Sequence, residues 1–187
     1  TSIGAATADR IVIVGVGGGA AGLCTSTIVT IGGSTATAAV DASFSKAGNG
    51  YISKIYMLSV PSGTTATIVS TFSTTTVRSG ICVWSAYGCT TTVAGAGTCT
   101  FSASTSSIGA NPSGGAVGVA YSFSQIEGGG TEGAATWSGM TINVDETIES
   151  VSDKQTGAST NGPVGFTTIS FAATTPNAGS VALMSLN

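Results

Sequence analysis

Three runs of strand-forming residues, separated by compact turn signals, occupy residues Lys54–Gly88, KIYMLSVPSGTTATIVSTFSTTTVRSGICVWSAYG. The PSG turn at residues 61–63 ends the first run, and the second run resumes with β-branched residues. In the second run Ala66, Ile68 and Phe72 share one parity. The other parity holds Thr65, Thr67, Val69 and Thr71 and is rich in hydroxyls. The stretch therefore predicts strands that have one face in a core and one face in water.

The third run, residues 77–87, has apolar residues on both parities, among them Ile81, Val83 and Trp84. Apolar side chains on both faces are typical of a strand that is covered on both sides. We therefore expect this run to be a central strand of its sheet.

Strand-like segments recur along the chain, and no stretch has a sustained apolar period of 3.6 residues. We predict an all-β fold of about nine or ten strands. Two antiparallel sheets would pack face to face as a jelly-roll or Greek-key sandwich, with a closed barrel as the alternative. Residues 1–187 are expected to form a single domain, and no internal repeat of fixed period is apparent.

Two small-residue segments predict loops rather than core strands. The glycines of residues 15–19 are expected to end the first strand as a loop. Residues 90–107, almost entirely Thr, Ser, Ala and Gly, are expected to form a long hairpin or a decorated loop. Residues 136–144 predict one strand, with Met140, Ile142 and Val144 on its core side.

The surface is expected to carry little charge, because only 7% of the residues are charged and the net charge is −3. Such a surface suits a subunit of a large assembly or an exported protein. The five basic residues are scattered, so we expect no nucleic-acid binding. The apolar run at residues 11–23 is too short and too rich in glycine to span a membrane. Because the sequence begins with Thr1 rather than Met, we expect a processed N-terminus or a partial sequence.

Catalytic chemistry has few candidate residues. The sequence has no histidine, which excludes Ser/His/Asp and Cys/His catalysis. A glycosidase needs two carboxylates, and the one acidic cluster is formed by Asp145, Glu146, Glu149 and Asp153. We interpret this cluster as a solvated loop or edge strand, and we expect no enzyme activity, no cofactor and no metal site.

The four cysteines, Cys24, Cys82, Cys89 and Cys99, match neither a CxxC pair nor a zinc pattern. Their even number in a weakly charged β protein predicts disulfides, and three pairings are open. Cys89 and Cys99 bracket a polar segment and could close its base, which would leave Cys24 to pair with Cys82. Buried free thiols are the alternative.

Aromatic residues are the candidates for stacking on a sugar ring. Most of them lie within strand patterns and are expected in the core. Trp137 lies on the polar parity of its predicted strand, so we expect it to be exposed and to contact a glycan or a neighbouring subunit.

The order of four segments resembles a known family. RIVIVGVGGG, VTIGGSTATAAV, ISKIYMLSVPSGTTATIVSTFS and VRSGICVWSAYG, between about residues 9 and 125, are similar to a β-sandwich module of tailed-phage virion proteins and some exported bacterial proteins. The marks of the resemblance are the glycine pair at residues 32–33 and the PSGT turn at residues 61–64. The resemblance implies a head decoration protein, a head fibre or a tail-tip module, and it brings no catalytic residues.

Two classes of function follow as expectations. The first is a non-enzymatic structural protein at a virion surface, in contact with other virion proteins such as the major capsid protein and assembled with identical subunits as a homotrimer. The second is a secreted bacterial adhesion or carbohydrate-binding module, which would be extracellular.

Overall fold

The computed structural model describes residues 1–22, 24, 27–46, 48–101, 108–110, 114–125, 134–149, 153–162, 167–171 and 178–187. These residues form fifteen strands, and every pairing between them is antiparallel, which confirms the predicted all-β class. The strands are β1 (Ile11–Ala21), β2 (Thr27–Ile31), β3 (Ser34–Thr35), β4 (Thr37–Lys46), β5 (Asn49–Ser59), β6 (Ile68–Phe72), β7 (Arg78–Ala86), β8 (Val93–Phe101), β9 (Ile108–Ala110), β10 (Val117–Gln125), β11 (Ala135–Trp137), β12 (Thr141–Glu149), β13 (Asp153–Asn161), β14 (Thr167–Phe171) and β15 (Ala178–Leu186).

The strands form four stacked sheets. A four-stranded sheet, in the order β4-β5-β1-β7, faces a five-stranded sheet, in the order β12-β13-β10-β15-β8. Each carries a three-stranded sheet on its other face, β3-β2-β6 on the first and β11-β14-β9 on the second. The predicted sandwich is therefore the central pair of sheets, and it has an additional layer on each side.

The main core lies between the two central sheets. Alternate residues of β1, β5, β7, β10 and β15 meet there, as the period of two in a strand requires. Val119, Tyr121 and Phe123 share one parity of β10, and all three point into this core. The opposite parity of β1, with Val12, Val14 and Val16, packs against β2 and β6 instead.

The two central sheets repeat one strand order. In the first, β5 and β7 flank β1, and β4 lies beyond β5; in the second, β13 and β15 flank β10, and β12 lies beyond β13. The connections also match. After β1 the chain crosses to the outer sheet as β2 and β3, returns as the β4–β5 hairpin, crosses again as β6 and ends in β7. In the same way, after β10 it crosses as β11, returns as the β12–β13 hairpin, crosses again as β14 and ends in β15. Residues 11–86 and 117–186 therefore form two equivalent halves, packed face to face.

Local details repeat as well. The β4–β5 ladder shifts register between Ala38 and Val40, and the β12–β13 ladder shifts between Ile142 and Val144. An aspartate follows each of these bulges, and each binds a lysine of the next strand. The pairs are Asp41 with Lys54 at 2.6 Å and Asp145 with Lys154 at 2.9 Å. The repeat is thus set by backbone geometry, which explains why it is not apparent in the sequence.

The predicted glycine loop at residues 15–19 is wrong, because β1 continues through these residues to Ala21. Gly15 and Gly17 face the rings of Tyr121 and Phe123 across the main core. A Cβ atom at Gly15 would lie 2.6 Å from Tyr121 Cδ2, and one at Gly17 would lie 2.6 Å from Phe123 Cβ. The glycines therefore leave the space in which the aromatic rings of the opposite sheet fit.

Other strand predictions also need correction. Among the described residues the third run of the opening stretch, β7, lies at the edge of its sheet and not at the centre. Residues 93–101, predicted to belong to a long hairpin or decorated loop outside the core, form β8 of the five-stranded sheet, while residues 102–107 lie outside the described residues. The single strand predicted over residues 136–144 is divided by a turn, where Gly139 has φ +76°, into β11 and β12 of different sheets. As a result Ile142 is exposed, although it was expected in the core.

Candidate functional site

All four cysteines are free thiols, so neither predicted disulfide is present. Cys24 packs with Ala20 and Ile52 on the outer face of the four-stranded sheet, whereas Cys82 points into the main core on its inner face. Cys89 packs against the main core, and Cys99 packs against the outer core of the five-stranded sheet. A sheet therefore separates the members of both predicted pairs, and a disulfide needs Cα atoms within about 7 Å whose side chains point at each other.

Burial controls the reactivity of these thiols. It raises the pKa of Cys82 to about 12 and also raises the pKa of the other three. We expect a maleimide at pH 8 to label the half-buried Cys89 and Cys99 first, and Cys24 and Cys82 only when the protein unfolds, because the thiolate is the nucleophile. Mass spectrometry of timed samples measures the order.

Denatured protein without reductant is the control for this labelling. It should take up four labels at similar rates, because unfolding exposes all four thiols. Recovery of only two labels would reveal a disulfide and would contradict the structure.

Trp137 is buried, so the prediction of an exposed glycan or subunit contact is wrong. Only 4% of the residue is exposed. It packs with Ala135, Ala158 and Leu183 between the five-stranded sheet and its outer layer. Its indole Nε1 donates a hydrogen bond to Thr156 Oγ1 at 2.8 Å. Its strand ends at the Gly139 turn, so the parity that was extrapolated to Val144 does not apply to it.

The predicted acidic cluster is part of the framework of the fold. Asp153 is buried, and its Oδ2 lies 2.7 Å from Arg78 Nε of the opposite sheet. Asp145 binds Lys154, and Glu146 accepts a hydrogen bond from Gln155. Glu149 is the last residue of β12. Within the described ranges no group of three or more Cys, Asp or Glu side chains is arranged to hold a metal ion.

Most of the positive charge is likewise held in internal contacts. Arg10 is completely buried and donates four hydrogen bonds to main-chain carbonyls. Lys54 and Lys154 are both buried in ion pairs with aspartates. With Arg78 bound to Asp153, four of the five cations of the sequence hold the fold together.

A group of buried serines connects the central sheets, and no pattern in the sequence indicates it. Ser53 of β5 accepts a hydrogen bond from Phe123 N of β10 at 2.9 Å and donates one to Ser180 O of β15 at 2.8 Å. Ser122 donates to the same carbonyl. Hydroxyls normally indicate the solvent face of a strand, so these serines would be assigned to the surface by pattern alone.

Two grooves lie at equivalent places in the two halves, beside the bulges of β4 and β12. The first, of about 260 Å³, is lined by Thr37, Met57, Leu58, Ser59 and Thr91. The second, of about 330 Å³, is entirely hydroxyl and amide in character. It is lined by Thr141, Asn143, Ser159, Thr160 and Asn161. A third cleft, beside Arg78 and Asp153, holds only about 60 Å³.

The outward side of β3-β2-β6 forms an uncharged surface, which we call the hydroxyl face. Thr35, Thr30 and Val69 lie side by side across the three strands, and Ile28 lies opposite Thr71. Ile28 and Val69 are 58% and 48% exposed. A surface of threonines and aliphatic side chains has no ion to desolvate, which favours contact with another protein.

Comparisons of the chain with protein-family models, with curated proteins and with solved structures find no match. In the part of the chain that the structure describes, no helix has the length and apolar character needed to cross a membrane.

Proposed function

We propose that the chain is a non-enzymatic structural protein of a virus particle, which decorates or projects from the surface of a tailed-phage capsid or tail. The observation that carries this proposal is the distribution of charge. The cations are used inside the fold, while the hydroxyl face presents threonine and aliphatic side chains to the outside. The resemblance of residues 9–125 to virion modules favours the same role.

The polar contacts between the two central sheets suit a structural role. Three sets of polar contacts join one central sheet to the other: Arg78 with Asp153, Trp84 Nε1 with Asn143 Oδ1, and the serines around Ser180. Cross-sheet polar contacts fix the position of the two sheets more specifically than apolar packing alone. We propose that identical subunits, assembled as a trimer, and other virion proteins such as the major capsid protein cover the uncharged surfaces.

A secreted adhesion or carbohydrate-binding module is the second candidate. The polar groove beside β12 favours it, because hydroxyl and amide side chains form hydrogen bonds with sugars. The burial of Trp137 removes the stacking residue on which this candidate depended.

Quantitative mass spectrometry of purified particles tests the proposal. Gradient-purified virus from the culture that produces the protein is compared with the particle-free supernatant. A structural protein should be recovered with the particles in a fixed ratio to the major capsid protein. Recovery only from the supernatant would contradict the virion role and would support the secreted module.

A further inference from the structure

The two grooves beside β4 and β12 have equivalent positions but different chemistry. Thr37 pairs with Met57, and Thr141 pairs with Ser159, at the same distance ahead of the bulge in each half. Met57 of the first groove therefore corresponds to Ser159 of the second. Met57 packs into the main core, which shows that the fold accepts an apolar side chain at this position. The polar lining of the second groove is thus not a requirement of the fold.

The bulge of β12 adds a second difference between the grooves. The register passes from Ile142 to Val144, so Asn143 is the extra residue of this bulge, and Ala39 is its counterpart in β4. A bulge re-aims its extra residue away from the ladder, and bulges are common beside functional sites. The second half therefore places an amide where the first half has a methyl group.

Trp84 holds the amide of Asn143 in one orientation. The indole Nε1 of Trp84 donates a hydrogen bond to Asn143 Oδ1 at 2.8 Å. An indole N–H can only donate, so the amide oxygen must face the tryptophan and Nδ2 must point away from it. In the part of the chain that the structure describes, Nδ2 has no acceptor. Both of its N–H groups are therefore available to a ligand in the groove.

The other lining residues offer neutral donors and acceptors. The hydroxyls of Thr141, Ser159 and Thr160 can each donate one hydrogen bond and accept others, as can the amide of Asn161. None of these side chains is bonded to another described residue. The volume of about 330 Å³ is at the lower end of the range of small-molecule sites, roughly 300–1,000 Å³. A small ligand with many uncharged hydroxyls suits this lining.

We propose that the groove beside β12 binds a neutral saccharide and that Asn143 selects it. The two N–H groups of Nδ2 would donate to neighbouring hydroxyl oxygens of the sugar, and the hydroxyl side chains would complete its hydrogen bonds. The described lining includes no cation, so the carboxylate of an acidic sugar would be left without a partner, which is costly. The lining also includes no aromatic ring, so a single site should bind in the millimolar range.

The inference rests on the groove that favours the second candidate function, and it names the ligand class of that groove. It is also compatible with the virion role, because many copies on one particle would bind a glycan surface with higher avidity than a single site. Recovery from particles tests the virion role, whereas titration of the purified chain tests the groove. Either proposal can therefore fail without the other.

A panel of neutral saccharides is the probe. Methyl glycosides of glucose, galactose, mannose and N-acetylglucosamine, with lactose and maltose, are titrated into the ¹⁵N-labelled full chain. At least one is expected to shift the side-chain amide signals of Asn143 and Asn161 and the main-chain amides around the bulge. The matched ligand control is the uronic acid of the sugar that binds, which should bind at least about tenfold more weakly.

Three variants assign the binding to the groove. Asn143→Asp keeps an acceptor for Trp84 Nε1 but removes both N–H donors, so binding should weaken at least about tenfold. Ser159→Met gives the second groove the side chain that the first has at Met57, and it should abolish the shifts. Ser59→Ala in the first groove is the control and should leave the affinity within about twofold.

Several results would overturn the proposal. They are no shift with any sugar of the panel, shifts that lie outside the groove, and equal binding of the uronic acid. Binding that Asn143→Asp leaves unchanged would contradict the selecting role of the amide. The mapping of shifts uses the unaltered protein, so it remains decisive if a variant fails to fold.

Discussion

Gly17→Ala is expected to lower the free energy of unfolding by about 2 kcal/mol or more, although it adds a single methyl group. The new Cβ would lie 2.6 Å from Phe123 Cβ and 2.7 Å from Tyr121 Cε1. Both rings are buried in the main core, so the sheets would have to separate locally, and overpacking of this kind typically costs about 1–3 kcal/mol. Denaturant unfolding followed by tryptophan fluorescence measures the change.

Gly19→Ala is the matched control in the same strand. There the nearest atom to the new Cβ would be Phe123 Cε1 at 3.5 Å, an ordinary van der Waals contact. The substitution also restricts the unfolded chain, which typically stabilises a protein by about 0.4–1 kcal/mol. Equal stability losses for the two variants would show that glycine is required along β1 for some reason other than the ring packing.

Arg10→Met is expected to destabilise the fold by about 3 kcal/mol or more. The guanidinium donates to the carbonyl oxygens of Gly4, Ala5, Val60 and Ser62 at 2.7–2.9 Å. Methionine replaces only the aliphatic stem of arginine and has no donor, so these partners would lose their hydrogen bonds. Each hydrogen bond to a charged group contributes about 1.5–3 kcal/mol, and the bonds of one side chain are not additive.

Two further variants separate the effect of the Arg10 charge from the effect of its hydrogen bonds. Arg10→Lys keeps the charge, but an ammonium group cannot donate to all four carbonyls as the planar guanidinium does. We therefore expect an intermediate loss of stability. Lys46→Met removes a half-buried cation from the β4–β5 hairpin, and a loss of about 1 kcal/mol or less is expected, as for an ion pair near the surface. A loss for Lys46→Met as large as that for Arg10→Met would point to net charge rather than to the carbonyl contacts.

The sequence predicted those strands whose two faces have different environments. In β6 the apolar residues Ile68 and Phe72 pack against a core while Val69 and Thr71 are exposed, so alternation alone gives the correct orientation. The glycine turn at residues 32–33 was also predictable, because both glycines have positive φ, +58° and +86°.

Strands that are buried on both sides, or that use unusual residues, were not predictable in this way. β13 has the sequence DKQTGASTN and lies inside its sheet, where Asp153, Lys154 and Gln155 find partners on three other strands. A polar segment of this kind has the pattern of a loop until those partners are known. The glycines of β1 were misassigned for a related reason, because their role depends on rings that are about a hundred residues away.

The candidate site was predicted less well than the fold. The sequence indicated an uncharged surface, and the hydroxyl face agrees with it. It misplaced Trp137 and the cysteine pairs, because each of those predictions depended on which face of a sheet a side chain occupies. A turn at Gly139 reverses that assignment for Trp137, and no local signal in the sequence marks the change of sheet.

The contact between glycine and aromatic residues also limits how the halves can associate. Gly15 and Tyr121 occupy equivalent positions. Gly15 pairs with Ile55, which lies opposite Val40 just after the bulge of β4. Tyr121 pairs with Gly157, which lies opposite Val144 just after the bulge of β12. Two copies of the first half would bring glycine against glycine and leave a void, whereas two copies of the second would bring ring against ring. Each half therefore packs well against the other half and poorly against a second copy of itself. An interface between two identical subunits, which brings the same surface against itself, cannot have this selectivity.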